Sequence, residues 1–233
     1  MSSVMQHELI PVFRLTVNGT FVERNNVPAD QLLIDFLHEQ CGLTGTKYSC
    51  GIGACGSCKV ALQATSDGLM MPVLACYARL KAVQSMHVTT VEGIGDRGAL
   101  HPLQQAFLED HSFQCGYSTP GFLMAARVLM SQLERSPVHQ DRLDEVILDA
   151  IGGNICRCTG YIRYFRAIRR VILATPGLVL EGPTPALTST PSVISFQITK
   201  QSGNDLTPEI LFGHFEEPVG EVEFVGELAW TSC

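Results

Sequence analysis

The spacing of apolar and polar positions changes character near residue 100, and two kinds of architecture follow from that. In residues 12 to 23, "VFRLTVNGTFVE", two short β-prone runs flank Asn18 and Gly19, which predicts a hairpin with a two-residue turn. "PADQLLIDFLHEQCG" follows, with Leu32, Leu33, Phe36 and Leu37 at helical spacing and Gly42 as the stop. A Gly- and Cys-rich loop covers 49 to 58. After it, "KVALQ", "LMMPVLA" and "HVTTVE" read as short strands, the second running into Cys76. Hairpin, helix, loop and strands predict an α+β module, a small mixed sheet covered by one helix.

Beyond residue 100 the period becomes helical. "HPLQQAFLEDH" carries Pro102 in its first turn, and "TPGFLMAARVLMSQL" has Thr119 as its cap and Pro120 in the first turn. "DRLDEVILDAIGGN" starts at a capping Asp141 and stops at Gly152 and Gly153, while "TGYIRYFRAIRRVILAT" sets Ile162, Phe165, Ile168 and Ile172 on one face. Four helices on short connections predict a four-helix bundle. Cys115 precedes the second helix, and Cys156 and Cys158 precede the fourth, so two helix N-termini are placed to face one site. From 176 onward Pro176, Pro183, Pro185 and Pro191 with many Thr and Ser mark a linker, and the last 40 or so residues read as short strands. The expected organisation is 10–95, 100–175, and a Pro-rich C-terminal extension at 176–233.

Composition narrows the function classes. The 233 residues are 45% hydrophobic, enough for real cores, and the net charge of -7 argues against a general nucleic-acid binder. No apolar run approaches the roughly 18 residues of a membrane span, and "MSSVMQHELI" lacks the layout of a signal peptide, so a cytoplasmic protein is expected. Nine cysteines are many for such a chain. In a reducing compartment their clustering reads as metal ligation before disulfides.

Cys50, Cys55 and Cys58, with Cys76 arriving from another element, have the plant-type ferredoxin spacing for a 2Fe-2S cluster. Gly51, Gly53 and Gly56 let the backbone approach the inorganic sulfides. A zinc site is the alternative, but zinc usually takes two C-x2-C knuckles and here there is one. The same glycines spell G-x-G-x-x-G, yet neither the preceding strand nor the following long helix of a dinucleotide site is present. Cys41 reads as a buried free thiol, and Met70, Met71 and Met124 as core filler.

"LTGTKYSCGIGACGSC", "TTVEGIG", "LHPLQQAF" and "GNICRCTGY" together resemble the iron-sulfur subunit or domain of the molybdenum hydroxylases, the xanthine oxidase and aldehyde oxidoreductase family. The resemblance covers roughly residues 10 to 172, about 70% of the chain. It implies an N-terminal β-grasp ferredoxin-like domain with a 2Fe-2S cluster on Cys50, Cys55, Cys58 and Cys76. It also implies a helical domain with a second cluster on Cys115, residue 118, Cys156 and Cys158. Gln114 matches the family's glutamine near the molybdopterin, and Cys158 the ligand nearest that cofactor. Implied partners are a large molybdopterin-binding subunit and an FAD-binding subunit, with electrons passing from molybdenum through both clusters to the flavin. No residue of this chain is expected to be catalytic toward substrate.

The departure is Ser118, where the family has cysteine. Three readings stay open: ligation of iron by the serine oxygen, a position left to solvent or another group, and a substitution compensated elsewhere. His111 is the nearest other donor by sequence, expected on the bundle surface. A Rieske arrangement needs paired histidines and is excluded. Arg157, Arg163, Arg166, Arg169 and Arg170, with no acidic residue from 154 to 180, form either a solvated face or a dock for a partner or for phosphates. The competing function is a stand-alone ferredoxin-like module with one cluster and a structural helical domain.

Overall fold

Strands β1 (Leu9–Val17) and β2 (Thr20–Pro28) pair antiparallel across a turn whose two central residues, Asn18 and Gly19, have φ of 50° and 76°. Positive φ at both positions matches the twist of the flanking strands, which is why Asn-Gly works there. These coordinates come from a computed structural model, which describes residues 8–95 and 98–182. The expected helix after the hairpin is present in an unusual form. One α-turn, α1 (Leu33–Asp35), continues as a π-helical turn over Phe36–Gln40, with Cys41 N donating to Phe36 O. Leu33, Ile34, Phe36 and Leu37 are all buried, and Phe36 meets Phe13 of β1 edge-on at 5.2 Å. The wider turn keeps this cluster of large side chains on the sheet.

Strands β3 (Lys59–Gln63) and β4 (Met71–Leu74), the short helix α2 (Leu80–Val83) and strand β5 (His87–Thr89) complete the first part. The sheet order is β2-β1-β5-β3-β4, with β5 parallel to β1 and the other pairs antiparallel. The last strand therefore occupies the centre, closed in on both sides. Helices α3 (Pro102–Glu109), α4 (Thr119–Arg135), α5 (Leu143–Gly152) and α6 (Ile162–Ala174) follow. α4 is the central one: Phe122, Met124 and Ala126 have no exposed surface, and the core it organises also takes in Ala61 of β3. Strand β6 (Val138–His139), after α4, pairs in parallel with β7 (Val179–Leu180), after α6. The described residues lie in one compact unit. The result is a mixed α/β structure, a sheet with several helices, consistent with a ferredoxin-like part and a helical 2Fe-2S part. Most of the Pro-rich extension and its expected strands lie outside the described residues.

Several local expectations change. Thr119 does not cap α4; Ser118 holds the cap position without a side-chain cap bond, and Thr119 is the first helical residue with its hydroxyl turned to Tyr164. Asp141 lies in a 3-10 turn, Gln140–Arg142, and Arg142 holds the cap position of α5. The inward face of α6 is Tyr164, Ala167, Ile168, Val171 and Ile172, whereas Ile162 is exposed. The helix is rotated because Tyr164 stacks on Phe122 at 4.1 Å, filling the core with a ring larger than Ile162. Cys41 is half-buried, and burial pushes its thiol up. Met124 is in the core, while Met70 and Met71 are half-buried.

The start of α3 keeps the expected Pro102 in its first turn and adds a reciprocal cap. The His101 ring accepts from Leu103 N at 3.1 Å, Gln104 Oε1 accepts from His101 N at 2.9 Å, and Gln104 Nε2 donates to Val91 O at 3.1 Å. One side chain thus joins the helix to the turn leaving the sheet. Gln104→Ala is expected to cost about 1 kcal/mol, read as a fall of roughly 2–4 °C in melting temperature.

Candidate functional site

The loop from Cys50 to Cys58 is shaped by three glycines with positive φ: Gly51 at 69°, Gly53 at 74° and Gly56 at 69°. This backbone turns its N–H groups inward. Cys50 Sγ accepts from Ala54 N at 3.3 Å. The N–H groups of Ile52 and Cys55 also point at it, and they lower the Cys50 thiol to about 6. Cys58 immediately precedes β3 and Cys76 follows β4, so the ladder that pairs Lys59 with Leu74 brings the two together. Cys58 is 1% exposed, and burial pushes its thiol up to about 12, against the N–H of Cys76. The side chains interact as Cys50 with Cys55 and Cys58 with Cys76.

The second group gathers at the N-termini of α4 and α6. Cys158 Sγ lies 3.6 Å from Cys115 Sγ, and both are exposed. The Cys115 thiol raises that of Cys158. Ser118 and Cys156 are the inner pair, each 8% exposed. Burial would raise the Cys156 thiol, but hydrogen bonds from the Ser118 and Thr159 hydroxyls and from the N–H groups of Cys158 and Thr159 bring it to about 7. Tyr161, at φ 70°, donates its backbone N–H to Thr159 Oγ1 and accepts Cys156 N at its own hydroxyl, 3.1 Å away. Its left-handed backbone is a strain held by these contacts. The N-termini of both helices, with their positive dipole ends, lie at this group.

Of the remaining expected residues, Gln114 and His111 are exposed; the His111 backbone donates to Leu108 O and accepts from Arg163 Nη1. Two of the five arginines are ion-paired: Arg169 binds Asp144 at 2.6 Å, and Arg170 binds Glu109 and Asp110 at 3.1 and 3.0 Å. Those carboxylates come from α3, its end and α5, so these two arginines are paired in space with acids from other elements. Arg157 and Arg166 stay exposed.

Five residues that sequence reasoning passed over bind the two groups together. Ile155 N donates to Cys55 O at 2.9 Å, linking the residue before Cys156 to a residue of the first group. Lys59 Nζ donates to Asn154 Oδ1 at 2.7 Å, and the buried Asn154 donates from Nδ2 to Gly56 O at 3.2 Å. The hydroxyl of Tyr117, between Cys115 and Ser118, donates to Tyr48 O. None of these has a local signal; a buried asparagine and a half-buried lysine show themselves only once the chain is folded.

The donor sets fit 2Fe-2S groups. Among the described residues no three or more His, Cys, Asp or Glu side chains converge as for a single ion. The thiols stand in pairs instead, with no disulfide among them. Two donors per iron is the arrangement a dinuclear cluster takes. The first set is four thiols; the second is three thiols and the Ser118 hydroxyl.

Comparison with known proteins agrees. Residues 15–81 match the family described as "2Fe-2S iron-sulfur cluster binding domain", and residues 90–169 match "[2Fe-2S] binding domain". Aldehyde oxidase 1 of Rattus norvegicus is 35% identical over 94% of this chain and 16% of its own length. Xanthine dehydrogenase 2 of Arabidopsis thaliana is 40% identical over 60% of this chain and 10% of its own. The chain thus spans at most about a sixth of these relatives. Among solved structures, a chain of quinoline 2-oxidoreductase from Pseudomonas putida 86 superposes with TM-score 0.58 and 33% identity, over 69% of this chain and 91% of that one. Aldehyde oxidoreductase from Desulfovibrio gigas gives TM-score 0.59 and 34% identity, over 76% of this chain and 19% of that one. With both halves matched and nearly the whole of a solved chain covered at that identity, this protein belongs to the 2Fe-2S iron-sulfur subunits of the molybdenum hydroxylase family.

Proposed function

We propose that the chain is the electron-transfer subunit of a molybdenum hydroxylase, relaying electrons from a molybdopterin centre to a flavin. Residues 10–95 form a β-grasp domain holding one 2Fe-2S cluster on Cys50, Cys55, Cys58 and Cys76. Residues 100–175 form a four-helix bundle holding another on Cys115, Ser118, Cys156 and Cys158, and residues 176–233 are an extension. When bound, each cluster supplies a site that stores one electron. The protein sets spacing, electrostatics and insulation. The observation that carries this reading is the direct main-chain link between the two groups, Ile155 N to Cys55 O, one residue from Cys156.

The side-chain pairs suggest the division between irons: Cys50 with Cys55, Cys58 with Cys76, Cys115 with Cys158, and Ser118 with Cys156. Ser118 is favoured over His111 because it is buried and its hydroxyl helps lower the Cys156 thiol, whereas His111 is exposed. Cys158 and Gln114, exposed beside this centre, are assigned to the molybdopterin side, on a separate large subunit. The flavin subunit docks at the first centre. The relatives act in oxidoreductases named for aldehydes, xanthine and quinoline. Substrate chemistry is assigned to the molybdenum subunit, in the cytoplasm. Among the described residues no helix is long and apolar enough to cross a membrane.

Iron analysis with electron paramagnetic resonance on the anaerobically purified chain tests the proposal. About four irons per chain and two distinct reduced signals are expected. About two irons and one plant-type signal would instead support a stand-alone ferredoxin-like module with a structural helical domain.

A further inference from the structure

We propose that the Lys59 ammonium is a counter-charge shared by the two centres, anchored between them by Asn154, and that it raises the reduction potential of both together. This rests on the reading above that each ligand set holds a 2Fe-2S cluster.

Lys59 follows Cys58, a ligand of the sheet centre, and its side chain ends at Asn154, two residues before Cys156 of the helical centre. A closed ring of hydrogen bonds fixes it there. Lys59 N donates to Gly56 O at 3.2 Å, Lys59 Nζ donates to Asn154 Oδ1 at 2.7 Å, and Asn154 Nδ2 donates to the same Gly56 O at 3.2 Å. Asn154 is 3% exposed, and its backbone N–H is taken by Ile151 O, near the end of α5. The glycines on either side hold the amide in place: a Cβ on Gly121 would fall 2.8 Å from the Asn154 side chain, and one on Gly56 3.0 Å from it. The next residue, Ile155, donates to Cys55 O at 2.9 Å, so both ligand-bearing loops are tied together beside the ammonium.

The partner of this ammonium is a neutral amide. Among the described residues no carboxylate is ion-paired with Lys59. A half-buried ammonium gives up water and receives only an amide oxygen, which a neutral donor would satisfy as well, so the charge itself calls for an anion nearby. The ligand sets supply it. Anionic ligands around two irons and two sulfides make a net negative group, and net charge is one of the factors that set its potential. A fixed cation beside such a group stabilises the reduced form, which carries one more negative charge, and so raises the potential. Set between two ligand sets, one ammonium moves both potentials in parallel and leaves the step between them nearly as it was. Lys59 is a positioning residue: it sets the electrostatic level of the relay and holds the loops that carry it.

The test uses the full chain loaded anaerobically with iron and sulfide, comparing wild type, Lys59→Met, Lys59→Gln and Lys59→Arg. Methionine keeps an unbranched stem without the charge, glutamine keeps a donor without the charge, and arginine keeps the charge on a different head group. The readouts are iron per chain, the midpoint potential of each centre and the melting temperature. Both neutral variants are expected to keep about four irons and to lower both potentials. The expected shift is about tenfold in the reduced-to-oxidised ratio, or about 59 mV for a one-electron couple, with the difference between the centres changing by less than about half of that. Lys59→Arg is expected to stay close to wild type in both potentials, whatever it loses in melting temperature. Unchanged potentials in both neutral variants at full iron overturn the proposal, leaving Lys59 a hydrogen-bonding latch and the relay reading intact. A fall at one centre alone overturns the sharing, and an equal fall in Lys59→Arg overturns charge as the cause. If the neutral variants lose iron, its retention in Lys59→Arg supports the proposal, and loss in all three overturns it as a packing effect. About two irons in the wild type defeats the two-cluster reading itself, and the shared counter-charge with it.

Discussion

Cys58→Ala is expected to abolish the sheet-domain centre, taking iron from about four to about two per chain and removing one of the two reduced signals. Cys58 is the most deeply buried thiol of its set, just before β3 and facing Cys76. Burial pushes its thiol up to about 12, so a free thiolate there is strongly disfavoured. Metal supplies the compensating charge, which couples occupancy of the site to the integrity of the strands around it. Alanine leaves Cys76 without its partner and the cluster one donor short. Cys50, at the far end of the loop, is held by the N–H groups of Ile52, Ala54 and Cys55. The helical centre should keep its own iron and signal, since its donors come from other elements. Retention of about four irons by Cys58→Ala would rule out this ligand set.

Gly121→Ala should have the largest effect on stability. Gly121 lies in the first turn of α4, and a Cβ there would fall 2.2 Å from Gly56 O and 2.8 Å from Asn154 Nδ2. The first contact is with backbone, so no side-chain rotation relieves it. Gly56 is equally constrained from the other side, where a Cβ would sit 2.8 Å from Gly153 O. Separating the helix from the loop would also strain the bonds that Asn154 and Ile155 make to Gly56 and Cys55. A cost of about 3 kcal/mol is expected, read as a fall of roughly 6–12 °C in melting temperature. Weaker magnetic coupling between the two reduced centres should accompany it. A melting temperature within about 2 °C of wild type would mean that the two halves do not meet as closely as described.

These two glycines show why part of the site escaped the sequence. Gly56 was legible as a loop glycine, but Gly121 read as a plain helix residue, because its neighbour across the junction lies 65 positions away. Tyr164 was hidden by a different error. The stripe Ile162, Phe165, Ile168 and Ile172 satisfies a helical period, but the period fixes a helix's stripe only to within its rotation. The stacking partner Phe122 decides that rotation, and it turns Tyr164 inward and Ile162 out. The carboxylates that pair with Arg169 and Arg170 escaped the sequence for the same reason: Asp144, Glu109 and Asp110 belong to other elements.

By itself the sequence determined what depends on neighbours a few residues apart. The Asn18-Gly19 turn, the first turn at Pro102, the change from strand to helical periods and the grouping of Cys50 with Cys55 and Cys58 are of this kind. Backbone preference and short spacing act over one turn of chain. Only the tertiary structure decided which strand lies in the middle of the sheet, that Cys58 faces Cys76 and Ser118 faces Cys156, and that Ile155 reaches Cys55. Those outcomes are set by packing between segments tens of residues apart, where side-chain shape and burial choose among arrangements that local propensity leaves equal.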